Sequence, residues 1–145
     1  MIGSLPHSAT LHVRNHCLCL HAQCAARALT RRFDEAFRPV GITSGQFSLL
    51  MALNRPEPPR LGEAAELLAM DRTTLTANLK PLRRRGFVAI RGDGEDKRVR
   101  RLVLTAAGRS LLAKALPMWE RKQAECESLL DDAERARADL RALGR

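Results

Sequence analysis

Tyrosine is absent from this 145-residue chain, and only four Phe and one Trp supply aromatic rings. That scarcity argues against RNA-binding modules that stack exposed bases on aromatic platforms. No run of about 18 apolar residues occurs, so no membrane-spanning helix and no membrane partner is expected. The most apolar early stretch, Leu11 to Leu20, is interrupted by His12, Arg14, Asn15 and His16 and is followed by no small-residue cleavage site, unlike a signal peptide. A cytoplasmic location is the expectation. The chain also has no Gly-rich phosphate loop, no Ser-His-Asp order and no paired-carboxylate motif, so it is not read as an enzyme. None of Cys17, Cys19, Cys24 and Cys126 forms a CxxC pair, and all four are expected as reduced thiols. Cys17-Leu18-Cys19 is too tight for an ordinary disulfide within a helix. His12 and His16 stand at i and i+4, and His16 with Cys19, or Cys17 with His21, could share a helix face as metal ligands, but one helix rarely completes a tetrahedral site. No metal and no cofactor is expected.

What the chain has in excess is positive charge, a formal +9. Ten Lys or Arg and only three acids fall between Arg72 and Arg101, so most of the excess sits in one segment. Within it, 71–86 reads DRTTLTANLKPLRRRG. Asp71 can cap a helix, and Leu75, Leu79 and Leu82 then form one apolar stripe. The opposite face carries Arg72, Thr73, Thr76, Lys80, Arg83 and Arg84 with no carboxylate to neutralise them. Short hydroxyls at a helix start can approach base edges in a major groove, while cations further along reach phosphates. A solvated basic helix is the bland alternative, and the flanking segments decide between the two.

The chain fits one domain with a core large enough to fold without staples. Met1 to Ser8 reads as a tail. From Ala9 to Arg38, Leu18, Ala22, Ala25, Leu29 and Phe33 recur at helical spacing beside a second stripe of Val13, Cys17, Leu20 and Cys24. One helix of some 30 residues buries more surface than so small a domain covers alone, which suggests a second subunit. Pro39 and Gly41 end it, and Thr43 caps a helix over Ser44 to Asn54 with Phe47, Leu50, Met51 and Leu53 inward. Pro56, Pro58 and Pro59 stiffen a connector to a short helix, Leu61 to Ala69. Ala69, Met70 and Asp71 then join it to the basic helix, which is helix-turn-helix spacing. Pro81 is unfavourable inside a helix, yet this one is read as continuous. After Gly86 the period drops to about two, giving a hairpin of Phe87–Ile90 and Val99–Leu104 with a charged tip at 91–98. Thr105 caps a long helix through Ala106, Leu111, Leu112, Ala115, Leu116 and Trp119, kinked at Pro117, and a last helix covers Asp132 to Leu143.

The fold class is therefore mainly α with a small β-hairpin wing: a winged helix-turn-helix flanked by long helices. With GITSGQFSLLMAL at 41–53, LGEAAELLAMDRTTLTANLKPLRRRGFV at 61–88 and GDGEDKRVRRLVLTAAGRSLL at 92–112, the sequence resembles the MarR family of bacterial transcription regulators. Asp96-Lys97-Arg98 matches the family's Asp-x-Arg wing signature, followed by Leu104-Thr105-x-x-Gly108. The resemblance implies a single domain over 1–145, with dimerisation helices at 9–38 and 106–145 and the winged helix-turn-helix at 43–105. It further implies an obligate homodimer, usually a repressor, on pseudopalindromic double-stranded operators, with its recognition helix in the major groove and the wing arginine in the minor groove. On that basis Arg72, Thr73, Thr74, Thr76 and Lys80 face the major groove and Arg98 the minor groove. Arg83, Arg84, Arg91 and Arg100 meet phosphates or solvent. A non-specific architectural nucleic-acid-binding protein is the competing reading.

The input signal is less legible. Cys19 sits where the organic-peroxide-sensing branch of the family places its reactive cysteine, but the tyrosines that hydrogen-bond it there are missing. Phe33 and Gln23 occupy that region, and His16 and His21 are the nearest groups able to activate the thiol. The alternative is that Cys17, Cys19 and Cys24 are small buried hydrophobes. A small apolar effector between the dimer helices and the winged region is a third option, with Met51, Met118 and Trp119 as linings or as core.

Overall fold

The computed structural model describes residues 3–96 and 98–145. Among these residues seven α-helices and one hairpin follow in the order α1 His7–His16, α2 Leu18–Phe37, a 3₁₀ turn Arg38–Val40, α3 Ser44–Leu53, α4 Leu61–Leu67, α5 Arg72–Arg84, β1 Val88–Gly92, β2 Arg100–Leu104, α6 Ala106–Glu127 and α7 Ala133–Leu143. The mainly helical, winged architecture expected from the sequence is the one observed. None of the helices is long and apolar enough to cross a membrane, among the described residues.

Local chemistry explains most of the boundaries. Thr43 and Gln46 form a reciprocal capping box at the start of α3, Thr43 N–H donating to Gln46 Oε1 at 3.0 Å and Gln46 N–H to Thr43 Oγ1 at 3.1 Å. Asp132 Oδ1 accepts from Arg135 N–H at 2.9 Å to open α7. α4 stops at Leu67, two residues earlier than expected, because Ala69 adopts a left-handed φ of 50° that turns the chain toward α5. α6 runs as one helix through Pro117.

The N-terminal expectation of one helix over 9–38 needs correction. Helix begins earlier, at His7, inside what reads as a tail, and it breaks at Cys17, whose φ −74° and ψ 107° are extended. Neither Gly nor Pro makes this break. Side chains take over freed backbone groups: Cys17 Sγ accepts from Leu20 N–H at 3.4 Å, and the His21 ring nitrogen lies 2.8 Å from the Cys17 carbonyl. Of the expected tail, Met1 and Ile2 lie outside the described residues.

The core gathers Phe37, Leu50, Leu53, Leu75, Leu82 and Leu102, all essentially inaccessible, around which α2, α3, α5, the hairpin and α6 pack. Phe37 and Phe47 stack with ring centroids 4.6 Å apart. Met51, expected inward, is exposed, and Leu49 and Ala52 are buried in its stead. Leu116 is likewise exposed on α6. β1 and β2 pair antiparallel from Val88↔Leu104 to Gly92↔Arg100, with the tip spanning 93–99. The hairpin is anchored to the proline connector by Leu102 N–H donating to the Pro59 carbonyl at 2.9 Å.

Candidate nucleic-acid interface

α5 forms as its sequence dictates. Asp71 Oδ1 accepts from Thr74 N–H at 2.8 Å, while Leu75, Leu79 and Leu82 are buried. Burying each leucine contributes about 2 kcal/mol, which holds the helix down and leaves its other face outward. Pro81 is its tenth residue and forgoes one backbone bond. The helix continues to Arg84 regardless, with Pro81 lining a cleft of about 180 Å³ opposite Thr43, Gly45, Gln46 and Leu49 at the α3 start.

The Asp71 cap is pH-dependent. Hydrogen bonds from the Thr74 amide, then from the Thr74 hydroxyl at 2.7 Å, hold its carboxyl below the usual 3.8. A lowered folded-state value means the ionised cap stabilises the fold at every pH above the ordinary value, and that contribution is lost as the pH falls through the folded-state value. Asp71→Asn keeps an N-cap acceptor without the titration. The variant is expected to lose less stability than the parent between pH 5 and pH 3, a range bracketing the carboxylate value. Parallel losses in urea titrations at the two pH values would refute the assignment.

Thr73, Thr74, Thr76, Lys80, Arg83 and Arg84 are all exposed on α5. The Thr76 hydroxyl donates to the Arg72 carbonyl at 2.7 Å, so it presents lone pairs outward. Thr74 is exposed and donates its amide and hydroxyl to the Asp71 cap. The Arg72 guanidinium folds back to within 2.8 Å of where a Cβ on Gly62 of α4 would stand. Lys80, Arg83 and Arg84 line an open groove of about 690 Å³ with Val88, Ala89 and Ile90 of β1, which brings the helix cations beside the wing.

The wing tip is shaped by its own acids. Asp96 Oδ1 accepts from Arg98 N–H at 2.9 Å and the Asp96 carbonyl from Val99 N–H at 3.0 Å, a tight turn that presents an exposed Arg98. Lys97, the middle residue of the Asp-x-Arg signature, lies outside the described residues. Asp93 behaves differently. Bonded by the Glu95 amide and by Arg101 at 3.2 Å, its carboxyl sits below the usual range.

Two classes of arginine emerge. Arg101 donates to the Pro58 carbonyl at 2.8 Å and pairs with Asp93, and Arg85 donates to the Gly41 carbonyl at 2.7 Å. Both serve the fold. The carbonyls they bond lie more than 40 positions away, so no local pattern could mark those contacts. By contrast Arg72, Lys80, Arg83, Arg84, Arg91, Arg98 and Arg100 neither pair with a carboxylate nor donate a side-chain hydrogen bond among the described residues. An unneutralised cationic helix beside a cationic hairpin is complementary to a polyanion.

The MarR family model matches residues 40–99, which span the α3 to wing-tip region. A transcriptional regulator of Mycobacterium tuberculosis, MosR, whose crystal structure contains DNA, is 40% identical, superposes with a TM-score of 0.82, and covers 89% of this chain and 94% of its own. The chain belongs to the MarR family of transcriptional regulators. The repressor CouR bound to a 23-mer DNA duplex superposes with a TM-score of 0.83 at 25% identity, over 99% of this chain and all of that one. The helix-turn-helix regulator YwoH of Bacillus subtilis is 35% identical over 81 residues, 56% of this chain and 58% of its own length. The chain thus spans a little over half of that curated relative. The proteins it matches are transcription regulators, not enzymes.

Two further clefts lie away from the basic face. One, of about 410 Å³, is lined by Phe47, Met51, Leu67, Leu68, Leu116 and Trp119. Met118 packs against the core instead. The other, about 380 Å³ and apolar, lies between α2 and the α6–α7 corner, where Ala25, Leu29, Cys126, Leu130 and Leu140 face it. Leu129, exposed at 66%, lines it too, and Leu18 at the start of α2 is exposed at 68%. Across that corner Arg137 pairs with Glu127 and Glu134. Cys19 and Cys24 are exposed, Cys17 is half-buried and only Cys126 is buried, so in this chain Cys19 and Cys24 are not small core residues. Gln23 donates to Cys19 Sγ at 3.4 Å.

Proposed function

We propose that the protein is a homodimeric, sequence-specific repressor of transcription acting in the cytoplasm on a pseudopalindromic double-stranded operator. The observation that carries this reading is the clustering on α5 and the wing of exposed cations that pair with no carboxylate among the described residues. The apolar cleft and exposed leucines along α2, α6 and α7 support a second copy as their cover, since patches of that extent mark protein interfaces. Arg72, Thr73, Thr74, Thr76 and Lys80 then meet the major groove, Arg83, Arg84 and Arg100 the backbone, and Arg98 the minor groove, where a narrow A·T tract attracts a guanidinium.

Titration of the full chain against a duplex selected from a random library, and against unselected duplex at the same salt, tests this. Discrimination of at least about a thousandfold is expected. Equal affinity for both would replace a specific regulator with a non-specific architectural protein. On the selected duplex, Arg98→Ala is expected to weaken binding by about 1 to 3 kcal/mol, one groove contact; unchanged affinity would remove Arg98 from the groove.

Two inputs fit the reading. The cleft of Met51, Leu67 and Trp119 suits a small apolar effector, whose binding would change the separation of the two α5 helices. Exposure of Cys19 and its Gln23 contact favour an oxidant instead. Mass spectrometry after stoichiometric peroxide separates them: an oxidised Cys19 with DNA released supports the thiol, and an unmodified Cys19 with binding intact ends it.

A further inference from the structure

The DNA-reading part and the dimer helices meet at one corner, where α2 ends, α3 begins and α5 closes. Two charged side chains cross this corner, and each meets backbone rather than an opposite charge. Asp34 of α2 places Oδ1 2.7 Å from the N–H of Ser44, the first residue of α3. That amide has no partner within its own helix, and a carboxylate suits the positive end of the helix dipole. Arg85, at the C-terminal end of α5, donates Nη1–H to the carbonyl of Gly41 at 2.7 Å, with its guanidinium 4.9 Å over the Phe87 ring. Gly41 itself is held at φ 69°, and a Cβ there would lie 3.3 Å from the same guanidinium.

We propose that Asp34 and Arg85 are positioning residues that fix the angle between the dimer helices and α5, and thereby the half-site spacing the protein accepts. This rests on the dimeric operator reading above. α2, with 20 residues, is a lever of roughly 30 Å at 1.5 Å per residue, so a small rotation at its end moves α5 by ångströms. Two recognition helices must enter successive major grooves about 34 Å apart, and a stiff corner makes the match sharp. Charge-assisted bonds to backbone carry the stiffness because they are short, directional and independent of packing elsewhere. Neither residue belongs to the set assigned to DNA.

The test uses the full chain and selected operators in which the half-sites are moved apart or together by one and two base pairs. The parent is expected to lose about 100-fold in affinity on a one-base-pair change, the scale of losing well-placed base contacts. The Asp34→Ala, Arg85→Met double variant is expected to bind its best operator about 10-fold more weakly and to lose only a few-fold on the same change, with its affinity for random duplex and its dimer mass unaltered. Asp34→Asn and Arg85→Lys, which keep a weaker form of each bond, are expected between the two and serve if the double variant does not fold. Retention of the parent's spacing ratio by the folded variants overturns the inference alone. A parent that is monomeric, or indifferent to spacing, overturns the dimeric reading and the inference with it.

Discussion

Gly108→Ala is expected to destabilise the protein by about 3 kcal/mol, the upper part of the range for an added methyl in a packed site. Gly108 is the third residue of α6, and a Cβ there would stand 2.4 Å from the Phe87 carbonyl oxygen and 2.7 Å from Leu104 Cδ1. The nearer obstacle is backbone and cannot rotate away. Moving α6 outward would stretch Thr105 N–H to the Phe87 carbonyl at 3.1 Å and the Thr105 hydroxyl to the Gly86 carbonyl at 2.7 Å. The same Thr105 oxygen caps α6 by accepting from Gly108 N–H at 3.1 Å. One turn thus welds the wing to a helix of the proposed dimer interface, which gives the Leu-Thr-x-x-Gly spacing a physical cause. A thermal midpoint lower by on the order of 10 °C is expected, at a few degrees per kcal/mol for this chain length. Gly45→Ala is the control: Thr43 Oγ1, 3.9 Å from its added Cβ, is in ordinary contact, and the better helix former should leave the midpoint level or raise it. Equal behaviour of the two variants would refute the steric account.

What the sequence revealed and what it hid divide along the range of the interactions. α5 was legible because every signal for it is local: an Asp cap, leucines at i, i+4 and i+7, and a glycine at the exit. The hairpin was legible from its change of period, and the family from motifs that run through both. The break at Cys17 was not, since its cause is a thiol and a histidine ring bonding to nearby backbone, residue types that signal no stop. Nor could composition separate Arg84 from Arg85. They are exposed neighbours of identical chemistry, yet only Arg85 closes a corner with Gly41, 44 positions earlier. Net charge therefore overstates the DNA-facing charge, and only the fold shows by how much. Met51 failed for a related reason: at helical spacing it belongs to the core stripe, but it borders an open cleft that no neighbouring element of this chain fills.

The division of cations into paired and unpaired sets makes the salt dependence of DNA binding the most demanding prediction. Lys80, Arg83, Arg84, Arg91 and Arg100 are exposed and pair with no carboxylate among the described residues, so the proposed dimer would offer about ten cations to the backbone. If six to ten of them neutralise phosphates, log affinity should fall against log salt with a slope of about −5 to −9, a loss of about 10³ to 10⁵ between 50 and 200 mM. Arg84→Ala removes two such charges from the dimer and should make the slope shallower by about two. Arg137→Gln has the same effect on formal charge, but Arg137 is already bound to Glu127 and Glu134 across the α6–α7 corner. It should leave the slope where it was. If both variants shift the slope alike, affinity follows overall charge and the α5–wing surface has no special role. If only Arg84→Ala does, the phosphates are read by the cations of the α5–wing surface.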